Sequence, residues 1–287
     1  MQNTPELLST REVAQFAARG FLRFDGLVGA EQNEAFLHEF AAGFAGPKPA
    51  GTPLGECYAP GSSIARLLAL PRVQGALHSL LGPGPIFDHH FFHVLDGRPS
   101  RPQALHQDST IDTRTAFDVQ LFYYPQQVLQ DMGGTRFLPG SHLRLVNEAS
   151  IARYQNVLGQ QHLVCPAGTV LLFHHGLWHG GGHNRSGKRR VLFKLRLQPS
   201  VPQHRHWDTS DLGPATLDPQ PIFVPGVWDE NDVQSILCSS EPWHEDDTKR
   251  LEYINRIQLW RYLLGDARAD AHYWRTRVEN EPRRAGG

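Results

Sequence analysis

The sequence predicts a mainly β fold, an antiparallel sandwich or barrel of jelly-roll type with flanking helices, and three observations carry that reading. From about residue 86 the segments IFDHHFFHVLD, FDVQLFYYPQ, TRFLPGSH, TVLLFHH and VLFKLRLQP are short, aromatic and β-branched. Clusters of Gly, Pro and Asn separate them, as tight turns require. Helical patterns do not alternate with these strands, which argues against a doubly wound parallel sheet and for an antiparallel one.

Taken in chain order, STREVAQFAARG reads as a capped helix. Ser9 and Glu12 have capping-box spacing, Val13, Phe16 and Ala17 form an apolar stripe, and Gly20 suits the stop. FLRF follows as a short strand. A helix is expected over roughly 30–44, with Ala35, Phe36 and Phe40 at helical spacing. The stretch 62–81 reads as a helix broken by Pro71. The five strand-like segments come next, then a Pro- and Trp-rich irregular stretch after about 200. Two further helical patterns, near 247–264 and 267–278, flank Gly265 as a stop. No internal repeat or low-complexity linker interrupts this order. The expected organisation is one domain over 1–287: a mainly helical part (1–85), the jelly-roll core (86–200) and an extension packing on it (201–287).

Composition narrows the function classes. Of 287 residues, 40% are hydrophobic and 20% charged, enough for a substantial core. A net charge of −1 and a pI near 7.0 leave no basic field for nucleic acid or anionic lipid. The expected partner is a small-molecule substrate, with no nucleic acid and no membrane; the oligomeric state is not legible. Cys57, Cys165 and Cys238 are odd in number and in no CxxC spacing, which points away from disulfides and structural zinc and toward a reducing compartment. The N-terminus shows no basic start followed by an apolar core, so a cytoplasmic location is expected. Sixteen histidines are a weak hint of metal chemistry.

The segment LHQDST places His106 and Asp108 two apart. On a strand, residues i and i+2 face the same side, so an imidazole and a carboxylate can reach one point. Together they form two of the three ligands of the facial triad that holds non-haem iron(II). The bland alternative is two polar groups at a strand end. A third ligand has to come from a distant strand, and TVLLFHHGLWHGGGHNRSGKRR offers His174, His175, His179 and His183. His179, between LW and GGG, fits best, because glycine lets a backbone approach a metal closely. His174 and His175 read as packing residues and His183 as a solvated loop residue. Arg190 lies eleven residues after His179 at the start of a strand. Its planar fork suits a carboxylate, and strand alternation lets only one of Arg189 and Arg190 face inward. In PGSH, Pro139 and Gly140 make a turn that Ser141 can cap, leaving His142 on the surface. Gln107 should face away from the ligands. Phe91, Phe92, Phe122, Tyr123 and Tyr124 read as barrel core, and Trp178 as a pocket wall.

HQD at 106–108, GGTRFLPGSH at 133–142 and LWHGGGHNRSGKRR at 177–190 together resemble the phytanoyl-CoA dioxygenase family of iron(II)/2-oxoglutarate oxygenases, over roughly residues 10–200. The resemblance implies a double-stranded β-helix, the cupin-like jelly roll, with His106, Asp108 and His179 as iron ligands. It makes Arg190 the anchor for the far carboxylate of 2-oxoglutarate and matches Asn184 and Ser186 to a conserved turn of the family. Family members often carry a hydroxyl two residues after the distal histidine, where this chain has Gly181. A second cosubstrate contact then has to come from elsewhere, with Thr135, Gln120 and His93 as candidates.

The reaction so implied consumes 2-oxoglutarate and O2, releases succinate and CO2, and hydroxylates an unactivated C–H of a metabolite or natural product. Asp108 favours hydroxylation, since related halogenases carry a small residue at that position. Desaturation and cyclisation use the same ligands and stay open. Two other classes also stay open: a non-catalytic metabolite-binding jelly roll, and a cupin-type metal enzyme that does not use 2-oxoglutarate.

Overall fold

The computed structural model describes residues 4–98, 101–108, 114–144, 151, 156–213, 229, 231–245 and 249–271. Among them, eight strands form two antiparallel sheets. The larger sheet orders β1 (Phe21–Phe24), β6 (Thr169–His174), β3 (Val119–Tyr124), β8 (Arg189–Gln198) and β2 (Ile86–Asp96). The smaller orders β5 (Gln161–His162), β4 (Thr135–Phe137) and β7 (His179–Gly181).

Side-chain alternation explains why the larger sheet is covered on both faces. On β3, Leu121 and Tyr123 join a core that runs from Leu8 to Ala271, while Phe122 and Tyr124 join a second core with Phe137 of β4. The same split separates Val170 and Leu172 from Leu171 and Phe173 on β6, and Phe193 and Leu195 from Leu192 on β8. The helices therefore cover one face, and the small sheet covers the other. Strands sandwiched in this way lose the usual polar alternation, so β3 and β6 are buried at every position. Each fully buried Phe or Leu contributes roughly 1.5–3 kcal/mol of apolar transfer free energy.

The first helix, α1 (Thr10–Arg19), has the expected capping box, with Ser9 Oγ accepting from the Glu12 backbone N–H and the Glu12 carboxylate accepting from the Ser9 N–H. It stops at Gly20 with φ 79°, where a Cβ would also lie 2.6 Å from His142 Nδ1. Next come α2 (Ala30–Ala42), α3 (Leu54–Cys57), α4 (Ser63–Leu68) and α5 (Pro71–Leu81). Pro71 opens α5 rather than kinking a longer helix, because its missing N–H costs nothing in a first turn. Val233–Leu237 (α6) and Lys249–Leu264 (α7) pack with α1 on the large core.

Four expectations need correction here. The segment after 200 is not wholly irregular: Asp232 caps α6 by accepting from the Ser235 N–H at 2.8 Å. The described part of the pattern at 267–278, residues 267–271, is non-helical after Gly265 at φ 62°, and the remainder lies outside the described residues. His106 and Asp108 do not sit on a regular strand; His106 makes one isolated antiparallel bridge, to His179. His142 is buried, not on the surface. Its Nε2–H donates to the Ala17 carbonyl at 3.1 Å, and its ring lies 4.8 Å from that of His174. The PGSH turn thus ties α1 to the small sheet. Ser141 Oγ completes the tie, donating to Leu138 O at 2.6 Å and accepting from Trp178 N–H at 2.9 Å. Among the described residues no helix is long and apolar enough to cross a membrane.

Candidate metal centre

The bridge between His106 and His179 builds the site. The His106 N–H donates to the His179 carbonyl at 3.0 Å, and the His179 N–H donates to the His106 carbonyl at 2.9 Å. Directly opposed residues of an antiparallel pair project to one side, and the two imidazoles lie 4.6 Å apart, centroid to centroid. Glycine lets the chains approach here, since a Cβ on Gly180 would lie 2.8 Å from the Ala104 carbonyl oxygen. Asp108 completes the group, with Oδ1 3.4 Å from His106 Nε2 and Oδ2 3.6 Å from His179 Nε2. One ligand atom from each of the three lies within 4.8 Å of the others.

The outward nitrogens settle which atoms can bind a metal. His106 Nδ1 lies 3.0 Å from the Ala104 carbonyl, and His179 Nδ1 lies 2.8 Å from the Leu177 carbonyl. A carbonyl can only accept, so each Nδ1 carries a proton, and each Nε2, facing Asp108, is the nitrogen that can offer a lone pair to a metal. Two neutral imidazoles and one carboxylate converging on a face are the donor set of non-haem iron(II) sites. The residues fit the metal.

Electrostatics favour the ligating forms of His179 and Asp108 and treat His106 differently. Burial, opposed by Asp108, pushes His179 down to about 3. Burial works the same way on His106, but the hydrogen bonds its ring donates to Asp108 and to the Ala104 carbonyl outweigh it and raise its pKa. Burial would raise Asp108 as well; the hydrogen bond to His106 and the charges of His179 and Lys194 prevail and hold it far below the usual carboxylate range.

Asp108 has two further partners: its Oδ2 accepts from Gln120 Nε2 and from Lys194 Nζ. Lys194 is 8% exposed, and its ammonium lies 5.4 Å from the centre of the Phe122 ring. Gln120 thus serves Asp108. Thr135 and His93, the other two candidates for a cosubstrate contact, line a cavity of about 40 Å³ with His106, His179, Arg190 and Lys194. Thr135 Oγ1 is hydrogen-bonded to Tyr124 Oη at 2.5 Å. Burial, with Lys194 and Arg190 nearby, pushes His93 down to about 4, so it is neutral at pH 7. A groove of about 390 Å³ adjoins, sharing His93, Gln103, Gly181 and Arg190 and adding Phe91 and Arg101.

Arg190 is 3% exposed and donates from Nη1 to the Gly133 carbonyl, while its buried Nε has no hydrogen-bond partner among the described residues. An unpartnered guanidinium N–H in a cavity wall is a ready carboxylate donor. Arg189 faces out, its side chain 54% exposed and 3.3 Å from Asp96. Period-two alternation settles the register.

Other candidates fall outside the cavity lining. His174 stacks on Phe117, His175 contacts the Asp118 backbone, and His183 is exposed. Trp178 packs against Trp243 and lies outside the lining of the two cavities described above. Asn184 and Ser186 shape the β7–β8 turn, Asn184 Oδ1 accepting from Ser186 Oγ at 2.8 Å. Phe91 is 57% exposed rather than core. Two positions lining this cavity escaped sequence reasoning. Gln103 Oε1 accepts from the Gly181 N–H at 3.2 Å. Lys194 lies four residues after Arg190 on the same strand face, so alternation alone could have flagged it.

Comparison with known proteins points the same way. The phytanoyl-CoA dioxygenase (PhyH) family matches residues 16–192. Uncharacterized proteins Mb1539 of Mycobacterium bovis and Rv1501 of Mycobacterium tuberculosis are each 29% identical over 151 residues, 52% of this chain and 53% of theirs. The chain thus spans about half the length of these curated relatives. Among solved structures, HygX from Streptomyces hygroscopicus with nickel and 2-oxoglutarate bound is similar at a TM-score of 0.54 and 17% identity, over 71% of this chain and 93% of that one. EctD from S. alaskensis is similar at 0.52 and 19%, over 69% and 79%. Both likenesses are of fold.

Proposed function

Because the chain belongs to the phytanoyl-CoA dioxygenase family, we propose that it is an iron(II)- and 2-oxoglutarate-dependent dioxygenase that hydroxylates an unactivated C–H of a small metabolite or natural product. The family uses iron(II), 2-oxoglutarate and O2. The observation that carries the reading is one cavity lined by both triad histidines and by a buried arginine with an unpartnered N–H, with Asp108 within reach of both imidazoles.

His106 Nε2, Asp108 and His179 Nε2 hold the metal. When bound, iron with 2-oxoglutarate supplies the oxidising power for C–H hydroxylation, with succinate and CO2 released. Arg190 receives the far carboxylate with its guanidinium, and Thr135 and His93 border the same space. Phe122 and Leu192 supply apolar wall, which limits water around the reacting atoms. The adjoining groove, with exposed Phe91 and Arg101 at its rim, is the approach for substrate. Three buried free cysteines support a reducing, cytoplasmic setting.

The test is an anaerobic titration of the metal-free protein with iron(II) and then 2-oxoglutarate, followed in the visible for the weak charge-transfer band of the chelate. The band should appear in wild type and vanish in His106→Ala and His179→Ala. Iron binding without the band would refute 2-oxoglutarate and favour the cupin-type metal enzyme; no metal binding would leave the metabolite-binding scaffold.

A further inference from the structure

Lys194 is the residue of this site that neither the family motif nor the expected chemistry explains. It is buried, it lies on the inner face of β8 four residues from Arg190, and its ammonium is paired with Asp108 Oδ2. Gln120 donates to the same oxygen, so the carboxylate is already held in place by a neutral donor and has no need of a cation for orientation alone. Asp108 is the only carboxylate facing that ammonium among the described ion pairs, whereas the wall beyond carries a second cation, Arg190.

The charges then do not balance around a metal. A dication accepted by Asp108 has to share that one carboxylate with Lys194, and Arg190 adds a further positive charge in the same small cavity. Like charges in a partly buried site repel with little screening. A dicarboxylate that enters with one end toward Arg190 and the other toward the metal brings two negative charges and removes the conflict. Lys194 and Arg190 both line the cavity, so a dicarboxylate entering it meets both cations.

We propose that Lys194 couples cosubstrate to metal: its charge weakens divalent metal binding when the metal is alone and favours it when a dicarboxylate is present. Coupling of this kind is reciprocal, so metal and 2-oxoglutarate each tighten the other by the same factor. The consequence is a site that holds iron firmly only once the cosubstrate that will consume the oxidant is in place. Lys194 is thus a positioning residue that acts through Asp108. The inference rests on the triad and Arg190 reading above.

The test is anaerobic calorimetric titration of the full chain with nickel(II), without and with saturating 2-oxoglutarate. It compares wild type with Lys194→Gln, which keeps a donor but drops the charge, and Lys194→Arg, which keeps the charge. Lys194→Gln should bind nickel(II) alone about threefold or more tighter than wild type, and its gain from 2-oxoglutarate should shrink about tenfold, within the usual span of coupling factors. Lys194→Arg should keep most of the wild-type gain. A residue that merely braced Asp108 would weaken metal binding when changed, so equal or weaker nickel(II) binding by Lys194→Gln with unchanged gain overturns the inference. If wild type binds nickel(II) but His179→Ala binds it equally well, the triad reading itself fails, and the inference with it.

Discussion

Replacing Arg190 with Met removes the carboxylate anchor while keeping the bulk of its stem. In wild type the guanidinium is already desolvated at 3% exposure and held by Gly133, so an arriving carboxylate meets a pre-placed donor with an unused N–H. One charge-assisted hydrogen bond of about 2 kcal/mol corresponds to roughly thirtyfold in Kd. The control is Arg189→Met. That side chain is 54% exposed and pairs with an Asp96 that is 72% exposed, an arrangement worth about 0–1 kcal/mol and so less than about fivefold. The assay is anaerobic titration of the nickel-loaded variants with 2-oxoglutarate, with nickel affinity measured separately. A loss below about tenfold for Arg190→Met, or a larger loss for Arg189→Met, refutes the assignment and puts the strand register off by one.

His179→Ala should abolish tight nickel(II) binding, whereas exposed His183→Ala should stay within about threefold of wild type; the reverse pattern in a calorimetric titration overturns the ligand set. Gly180→Ala presses a methyl against the Ala104 carbonyl at 2.8 Å and should cost about 1–3 kcal/mol in urea unfolding while weakening the metal site, because it parts the His106–His179 bridge. His142 supplies a pH prediction. Burial, then Arg256, pushes it down to about 3 from an unfolded value near 6.5, so the unfolded chain takes up the proton first as pH falls. Its contribution is therefore constant above about pH 6.5 and declines between about 6.5 and 3, by about 2 kcal/mol at pH 5. His142→Gln should shrink the pH 7 to pH 5 difference in unfolding free energy by about that amount; an unchanged difference would mean His142 is protonated in the native state.

Much of this molecule is written locally. The capping box at Ser9 and Glu12 and the stop at Gly20 depend on residues within one turn, so the sequence alone places α1. The alternation that turns Arg190 inward and Arg189 outward is a property of any strand, and it needed only the strand's position. The donor types His106, Asp108 and His179 were legible because their chemistry is rare in combination and the surrounding motif is ordered. The tertiary structure decided what depends on partners distant in sequence. His142 looked like a turn residue, yet α1 folds over it and takes it out of water. Trp178 sits beside His179 in the chain but packs against Trp243, a contact across 65 positions of sequence. The His106–His179 contact joins residues 73 positions apart through a single bridge, and no local pattern encodes that pairing. Lys194 reads as an ordinary strand lysine until β8 is laid beside Asp108. Local rules act within a few residues, whereas a charge acts on whatever the fold brings within reach, and so the site's residue types were readable but its balance of charge was not.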